Sequence, residues 1–355
     1  MPEVSQRIAM LRMLMICGVV LLHVPPYVPV DQVGSGAFDF LKALAQNAVF
    51  RCTVPVLTLI SGYLLFSAGL DRRPAALWRK KLLTLGVPFL FFNTLLAVAV
   101  FGVQSAMPLP ISYQLVPFDA RTMLDAAFGL TRSPINYPLN FLRDLFVLAL
   151  LAPAFGLLLR RAAWPGLALV ALVFRLDLDG WLLLRWDMAV MFYAGGMAAV
   201  RRWDLRRPDR WAVPCAVVFA ALCVAVVALE AGNTTYLRLV APFLVWPAAS
   251  LLVGTRVGGW LRRMSGASYF IFLAHGPVLL VTWFAYRKLQ AWVPYEVYWI
   301  VAPVATIAAL ICVRRIGMAA MPRVFGLLTG ASPRREPDGI AGAKGAQAAA
   351  VAAGS

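Results

Sequence analysis

An all-α polytopic bundle of transmembrane helices, with about ten spans and both termini inside (N-in and C-in), is the fold this sequence predicts, and three observations predict it. Hydrophobic residues make up 61% of the 355 and charged residues 14%, with a mean hydropathy of +0.77. That is the composition of an integral membrane protein, not of soluble domains. Apolar runs near the ~20 residues needed to cross a bilayer recur to about residue 320, so the first is not a lone cleavable signal. Finally, lysine and arginine collect in alternate loops.

Ten runs qualify as spans: 8–25, 48–68, 82–103, 139–159, 162–176, 185–200, 211–230, 237–256, 265–284 and 296–318. The fifth and sixth are short and flank RLDLDGWLLLRWD (175–187), so that hairpin is expected to be shallow or partly re-entrant. A cytoplasmic N-terminus makes 69–81, 160–161, 201–210 and 257–263 inner loops. These, with the two termini, hold most of the 33 Lys and Arg, which sets the orientation. The same bias accounts for most of the net charge of +17. The basic balance is therefore no nucleic-acid signature, and membrane lipid is the expected partner.

The longest outer loop, 104–138, carries enough aromatic residues to fold over the outer face, with a short helix near 119–129. From 331 onward, ASPRREPDGIAGAKGAQAAAVAAGS is low-complexity and expected to be a disordered cytoplasmic tail, leaving 1–330 as one membrane domain. Cys17, Cys52, Cys215, Cys223 and Cys312 lie in or beside apolar runs at unrelated spacings. They read as small buried hydrophobes, with no disulfide framework and no metal site.

An ionisable side chain in mid-span costs roughly 2.5–3.5 kcal/mol on insertion scales, so each one needs a reason. Arg12 and His23 are eleven helical steps apart, about 20° from three full turns, so they share one helix face about 16 Å apart along the axis. Met15, Ile16 and Val19 lie between them on that face. His275 falls about 15 Å into its span, near the midplane, with Ser268 seven residues earlier on nearly the same face. Arg51 stands near the outer end of its helix, with Ser61 and Gly62 about 15 Å deeper. Arg143 and Asp144 are adjacent, point about 100° apart, and are expected to face different partners. The alternative for each is structural: Arg12 snorkels inward, His23 and Arg51 anchor at the outer interface, Arg143 and Asp144 form an interfacial pair, and a carbonyl satisfies His275. The functional alternative joins them in a polar column, from a basic inner mouth (Arg12, Arg79, Lys80, Lys81) to an outer site of His, Arg and Asp.

Five blocks now carry a family likeness. The Arg-x10-His pair (Arg12, His23), VPVLTLISGYLL (54–65), WRKKLLTLGVPFLFFN (78–93), YPLNFLRDLFVLALLAP (137–153) and SYFIFLAH (268–275) occur in this order. The chain resembles the membrane acyltransferase-3 family, bacterial multi-pass O-acyltransferases. Asn140 stands where many members have Trp, and Leu57 replaces the usual aromatic after Val54-Pro55.

The resemblance implies transfer of an acyl group, most often acetyl, from acetyl-CoA or another acyl-CoA as cytoplasmic co-substrate. The acceptor would be a hydroxyl of a cell-envelope or secreted glycan at the periplasmic side of the bacterial inner membrane. Arg12, Arg79, Lys80, Lys81 and Ser61 are the candidates for holding the donor, the cations matching its phosphates. A hydroxyl needs a base near neutral pH, and His23 or His275 suits that task. Asp144 is a candidate to orient an imidazole, and Arg51 or Arg143 to stabilise the oxyanion. The rival reading is an exporter or flippase of a lipid-linked sugar, which lacks its usual inverted repeats or paired broken helices here. Within acyl transfer, succinyl or another acyl group is the alternative to acetyl.

Overall fold

The computed structural model describes residues 2–107 and 111–330; the expected tail at 331–355 lies outside the described residues. Each of the ten expected spans falls on helix. The segments are α1 (Pro2–Leu22), α2 (Ala37–Ser67), α3 (Pro74–Ala106), the loop helix α4 (Ala120–Phe128), α5 (Tyr137–Arg161), α6 (Ala163–Arg175) and α7 (Trp186–Val200). They continue with α8 (Arg207–Ala228), α9 (Thr235–Leu252), α10 (Arg256–Leu289), α11 (Tyr295–Ala320) and the short α12 (Pro322–Leu328). Among the described residues, eight of these are long and apolar enough to cross a membrane.

The exceptions are the two helices that read as short. At 1.5 Å per residue, α6 and α7 reach only about 20 and 22 Å against a hydrocarbon core of ~30 Å. For α7 the physical reason is its place at the centre of the bundle. Met188, Phe192, Tyr193 and Met197 are all buried, so protein surrounds this helix and it need not match the bilayer by itself. Its closest neighbour is the second half of α2. A Cβ on Gly62 would lie 2.1 Å from the Phe192 carbonyl oxygen, and one on Gly195 would lie 2.0 Å from the Leu59 oxygen. Two glycines facing opposite backbones let these helices touch.

Ion pairs tie the end of the bundle that carries the α1 N-terminus, the basic end. Arg7 binds Asp209 through both carboxylate oxygens at 2.7 and 2.6 Å and lies over the Trp246 ring, while Arg160 reaches the buried Asp71 at 2.6 Å.

At the opposite end the 111–138 loop folds back as expected. Asp119 caps α4, accepting from the Thr122 N–H at 2.8 Å, and Gly129 closes it in a left-handed conformation with φ 63°. Tyr113, Leu115 and Ala126 pack on Ala97 and Val100 of α3 as a small separate core. Burial works to raise the Asp125 carboxyl there, but hydrogen bonds from Thr131 and Arg132 hold it below the usual carboxylate range. Burial, and then the Asp125 charge, push the Tyr113 hydroxyl up to about 12.

The cysteines are free: Cys52 and Cys223 are buried as expected, whereas Cys312 is exposed. It stands among the exposed apolar side chains of α11, such as Val304 and Val313, where a small thiol is as compatible with lipid as with a core.

Candidate active site

α1 ends at Leu22, and His23 follows at its C-terminal end, where the His23 Nδ1–H donates to the Val19 carbonyl at 2.8 Å. His275 lies within α10, and its Nδ1–H is shared between the carbonyls of Phe272 (2.8 Å) and Ile271 (3.2 Å). A carbonyl oxygen only accepts, so both Nδ1 atoms carry a hydrogen and both Nε2 atoms keep the lone pair in the neutral ring. The rings lie 5.3 Å apart, tilted by 55°. His275 is fully buried and its Nε2 has no hydrogen-bond partner among the described residues, whereas His23 opens onto cavities.

One cavity, about 360 Å³, is lined by His23, Tyr27, Arg51, Asn140 and Arg185, with Leu57, Phe141 and Phe272 at its deep side. A second, about 430 Å³, is lined by Arg12, Ile16, Ser61, Lys81, Thr84 and Tyr269, and shares Leu57, Phe141 and Phe272 with the first. These three apolar side chains form a throat between a cationic chamber toward the basic end and the chamber at His23. Ile16 on one side and Val19 on the other complete the α1 face that the spacing of Arg12 and His23 implied. Ser61 donates to the Leu57 carbonyl at 2.7 Å in this wall.

Arg79 and Lys80 differ from expectation. They are exposed on the outside of α3 and line neither chamber, because the turn of α3 that carries them presents only Lys81 to the inside.

The charges near His23 sort into two groups. Arg51 donates to the Tyr27 hydroxyl and lies 5.0 Å from the centre of that ring. No carboxylate pairs with it among the described residues. Tyr27 in turn donates to Asn47 Oδ1 at 2.6 Å. Arg185 lies 3.4 Å and Arg238 3.6 Å from Asp187, which is almost fully buried.

Arg143 and Asp144 are engaged elsewhere. Of the two readings the structural one holds: they bind each other, Nη1 to Oδ1 at 2.9 Å, instead of facing different partners. Arg143 also donates to the carbonyls of Gly129, Trp181 and Leu182. Asp144 accepts from the backbone N–H groups of Leu184 and Arg185. The pair therefore staples the loop before α7 to the head of α5, and backbone carbonyls, not Asp144, orient the two imidazoles.

Sequence reasoning did not single out Arg185, Asp187 or Arg238, although a charge two residues into the apolar α7 was a usable signal. It also passed over Gln46 and Asn47. They sit on a π turn, Leu44–Ala48, within α2, a distortion frequent at functional sites. Gln46 Nε2 donates to the carbonyls of Val24 (3.0 Å), Leu21 (3.1 Å) and Leu22 (3.4 Å), so it clamps the chain on both sides of His23. Among the described residues no three His, Cys, Asp or Glu side chains gather into a cluster that could hold a metal ion.

A cationic chamber and a chamber at a pair of histidines thus meet at an apolar throat, and comparison with known proteins places the chain in a family. The family profile described as an acyltransferase domain matches residues 6–314. The chain belongs to the acyltransferase-3 family. This acyltransferase is 33% identical over 346 residues to the succinoglycan biosynthesis protein ExoH of Rhizobium meliloti (strain 1021), with 92% of each chain covered. No solved structure matches it. It is a multi-pass membrane acyltransferase whose two histidines, Arg12 and Arg51 all fall inside the matched region.

Proposed function

We propose that this acyltransferase moves an acyl group from a cytoplasmic acyl-CoA, acetyl-CoA in the first instance, to a hydroxyl of a secreted or envelope polysaccharide at the far face of the bacterial inner membrane. The similarity to a protein named for succinoglycan biosynthesis supports a polysaccharide acceptor. The observation that carries the reading is His23: its Nδ1–H is held by Val19 and its ring opens onto a chamber that joins the cationic one.

Arg12 and Lys81 meet phosphate or pantetheine groups of the donor, with Arg79 and Lys80 as exposed cations outside the mouth. The thioester passes the throat of Leu57, Phe141 and Phe272. His23 Nε2 then takes the proton from the acceptor hydroxyl as its oxygen bonds the thioester carbonyl carbon. Arg51 faces the oxyanion that develops there. Collapse breaks the carbon–sulfur bond, and the departing thiolate recovers the proton from His23, leaving an ester and free CoA. His275, whose ring lies 5.3 Å from that of His23 and whose Nε2 has no hydrogen-bond partner among the described residues, polarises or relays, and Asp144 supports the site only through the loop it staples.

A specific observation also favours a dicarboxylic acyl group such as succinyl: Arg51 lines the reacting chamber with no carboxylate partner among the described residues, and the free end of such a group would supply one. Purified protein in nanodiscs, given radiolabelled acetyl-CoA or succinyl-CoA and alkali-deacylated polysaccharide, separates the two. His23→Ala should cut ester formation by about 10²–10⁴-fold while the protein still inserts; wild-type transfer by that variant would sink the assignment. Label retained on the protein in the absence of acceptor would replace direct attack by an acyl-histidine relay.

A further inference from the structure

His23 opens onto a second space that the donor route does not use. This cavity, about 570 Å³, lies between α3, α10 and the 111–138 loop. It shares His23, Pro25, Tyr137 and Pro138 with the arginine-lined chamber and no lining residue with the cationic chamber beyond the throat. If the donor reaches His23 from the throat, the hydroxyl must come within hydrogen-bond reach of the same imidazole from another side.

The lining says what kind of molecule fits. Leu96 and Val100 of α3 and Leu279 and Leu280 of α10 make apolar walls, while the loop supplies the polar and aromatic groups. Tyr137, exposed over more than half its surface, stands 6.2 Å from the His23 ring in an edge arrangement. Arg132 stacks on Tyr113 at 3.7 Å from the ring centre. Its side chain is half exposed and Nε alone binds Asp125, at 3.1 Å. It therefore presents a partly exposed guanidinium to the cavity.

Asn136 is buried and pinned at both ends: its N–H donates to Asn93 Oδ1 at 3.1 Å and its Nδ2 to the Leu273 carbonyl at 3.2 Å. Its Oδ1 receives no hydrogen bond among the described residues, and it lies 2.7 Å from where a Cβ on Gly276 would stand. The glycine after His275 thus keeps this acceptor atom clear. A mostly apolar cavity with a few fixed polar groups is the usual form of a small-ligand site.

We infer that this cavity is the acceptor site and holds one pyranose ring of the glycan, its C–H face against Tyr137 and the apolar walls, its hydroxyls on Arg132 and Asn136, and one hydroxyl at His23. Aromatic side chains combine a large apolar face with a polar edge, which matches a sugar ring, apolar on its faces and polar around its rim. Among the described residues no carboxylate lines the cavity, so neutral and anionic sugars are both admitted and cationic amino sugars are disfavoured by Arg132. The inference rests on the acyl-transfer reading and adds where and how the acceptor binds.

The test uses full-length protein in nanodiscs, labelled acetyl-CoA or succinyl-CoA, and alkali-deacylated extracellular polysaccharide of the native host as acceptor. Tyr137→Ala alters an exposed side chain; Arg132→Gln also removes a partner of Asp125, so limited proteolysis within 111–136 is run in parallel to show that the loop stays docked. Each should raise the KM for polysaccharide about tenfold or more, the loss expected for a hydrogen bond from a charged donor or a desolvated aromatic contact, with the KM for acyl-CoA unmoved. A rise in the acyl-CoA KM alone, or no change in either, would overturn the assignment. So would a wild-type protein that transfers acyl groups to glycerol but to no polysaccharide. Full transfer by His23→Ala would instead refute the base assignment, leaving the two KM shifts to decide the cavity by themselves.

Discussion

Gln46 offers a direct measure of how much the site depends on the turn that holds His23. Val24 is fully buried, and the Gln46 Nε2–H at 3.0 Å is the hydrogen bond its carbonyl receives among the described residues. The Leu21 carbonyl, by contrast, also accepts from the Val24 N–H at 3.2 Å. Gln46→Leu keeps much of the volume and removes the donor. The orphaned Val24 carbonyl then costs about 1–3 kcal/mol, and the shared Leu21 bond adds about 0.5–1 kcal/mol.

Much of that cost can be relieved only by letting the chain around His23 move toward water. A displacement of about 1 Å at a reacting group is enough for roughly a hundredfold loss. The expected result is a kcat lower by one to two orders of magnitude with the acyl-CoA KM within about twofold, since the cationic chamber is untouched. Gln46→Glu, of equal length but unable to donate when ionised, should be at least as impaired. The assay is initial-rate acyl transfer in nanodiscs, with thermal unfolding in detergent run in parallel. A Gln46→Leu variant with wild-type kcat would refute the claim that this side chain positions the base.

Other expectations follow from the same geometry. His23→Ala should lose about 10²–10⁴-fold in transfer rate, the usual contribution of a general base. Gly195→Ala puts a methyl 2.0 Å from the Leu59 carbonyl oxygen. Neither backbone can yield there, so it should cost about 1–3 kcal/mol or more, read as a lower unfolding temperature in detergent. Leu57→Trp narrows the throat, so the rate with succinyl-CoA should fall further than the rate with acetyl-CoA; equal losses would argue against passage there. The Asp125 carboxyl is held below its ordinary value of about 3.9 when the loop is docked. It therefore stabilises docking above that pH and loses the contribution as pH falls through its lower folded value. Limited proteolysis within 111–136 should increase over that acid range, and less so in Asp125→Asn.

The helices were legible because burial in a bilayer is written locally. A run of about twenty apolar residues is a span whatever lies beside it, and all ten expected runs are helical. The loop helix was equally local, set by Asp119 at one end and Gly129 at the other. Arg12 and His23 were placed on one face by helical arithmetic alone, and the side chains lining the chambers along α1 agree with it.

What the sequence by itself determined, then, is a helical membrane bundle, its breaks, and which ionisable groups had to be accounted for. Which of them meet was decided only by tertiary structure. His23 and His275 are 252 positions apart and become neighbours with ring centres 5.3 Å apart; Arg143 and Asp144 are adjacent yet serve the loop before α7, not a histidine. Arg79, Lys80 and Lys81 are consecutive, but only Lys81 lines a chamber. The physical reason is that hydrophobic period fixes the direction of a side chain relative to its own helix axis, whereas its partner depends on how the helices rotate and stack. That is decided by contacts such as Gly62 and Gly195, where two backbones touch across a gap no local pattern specifies.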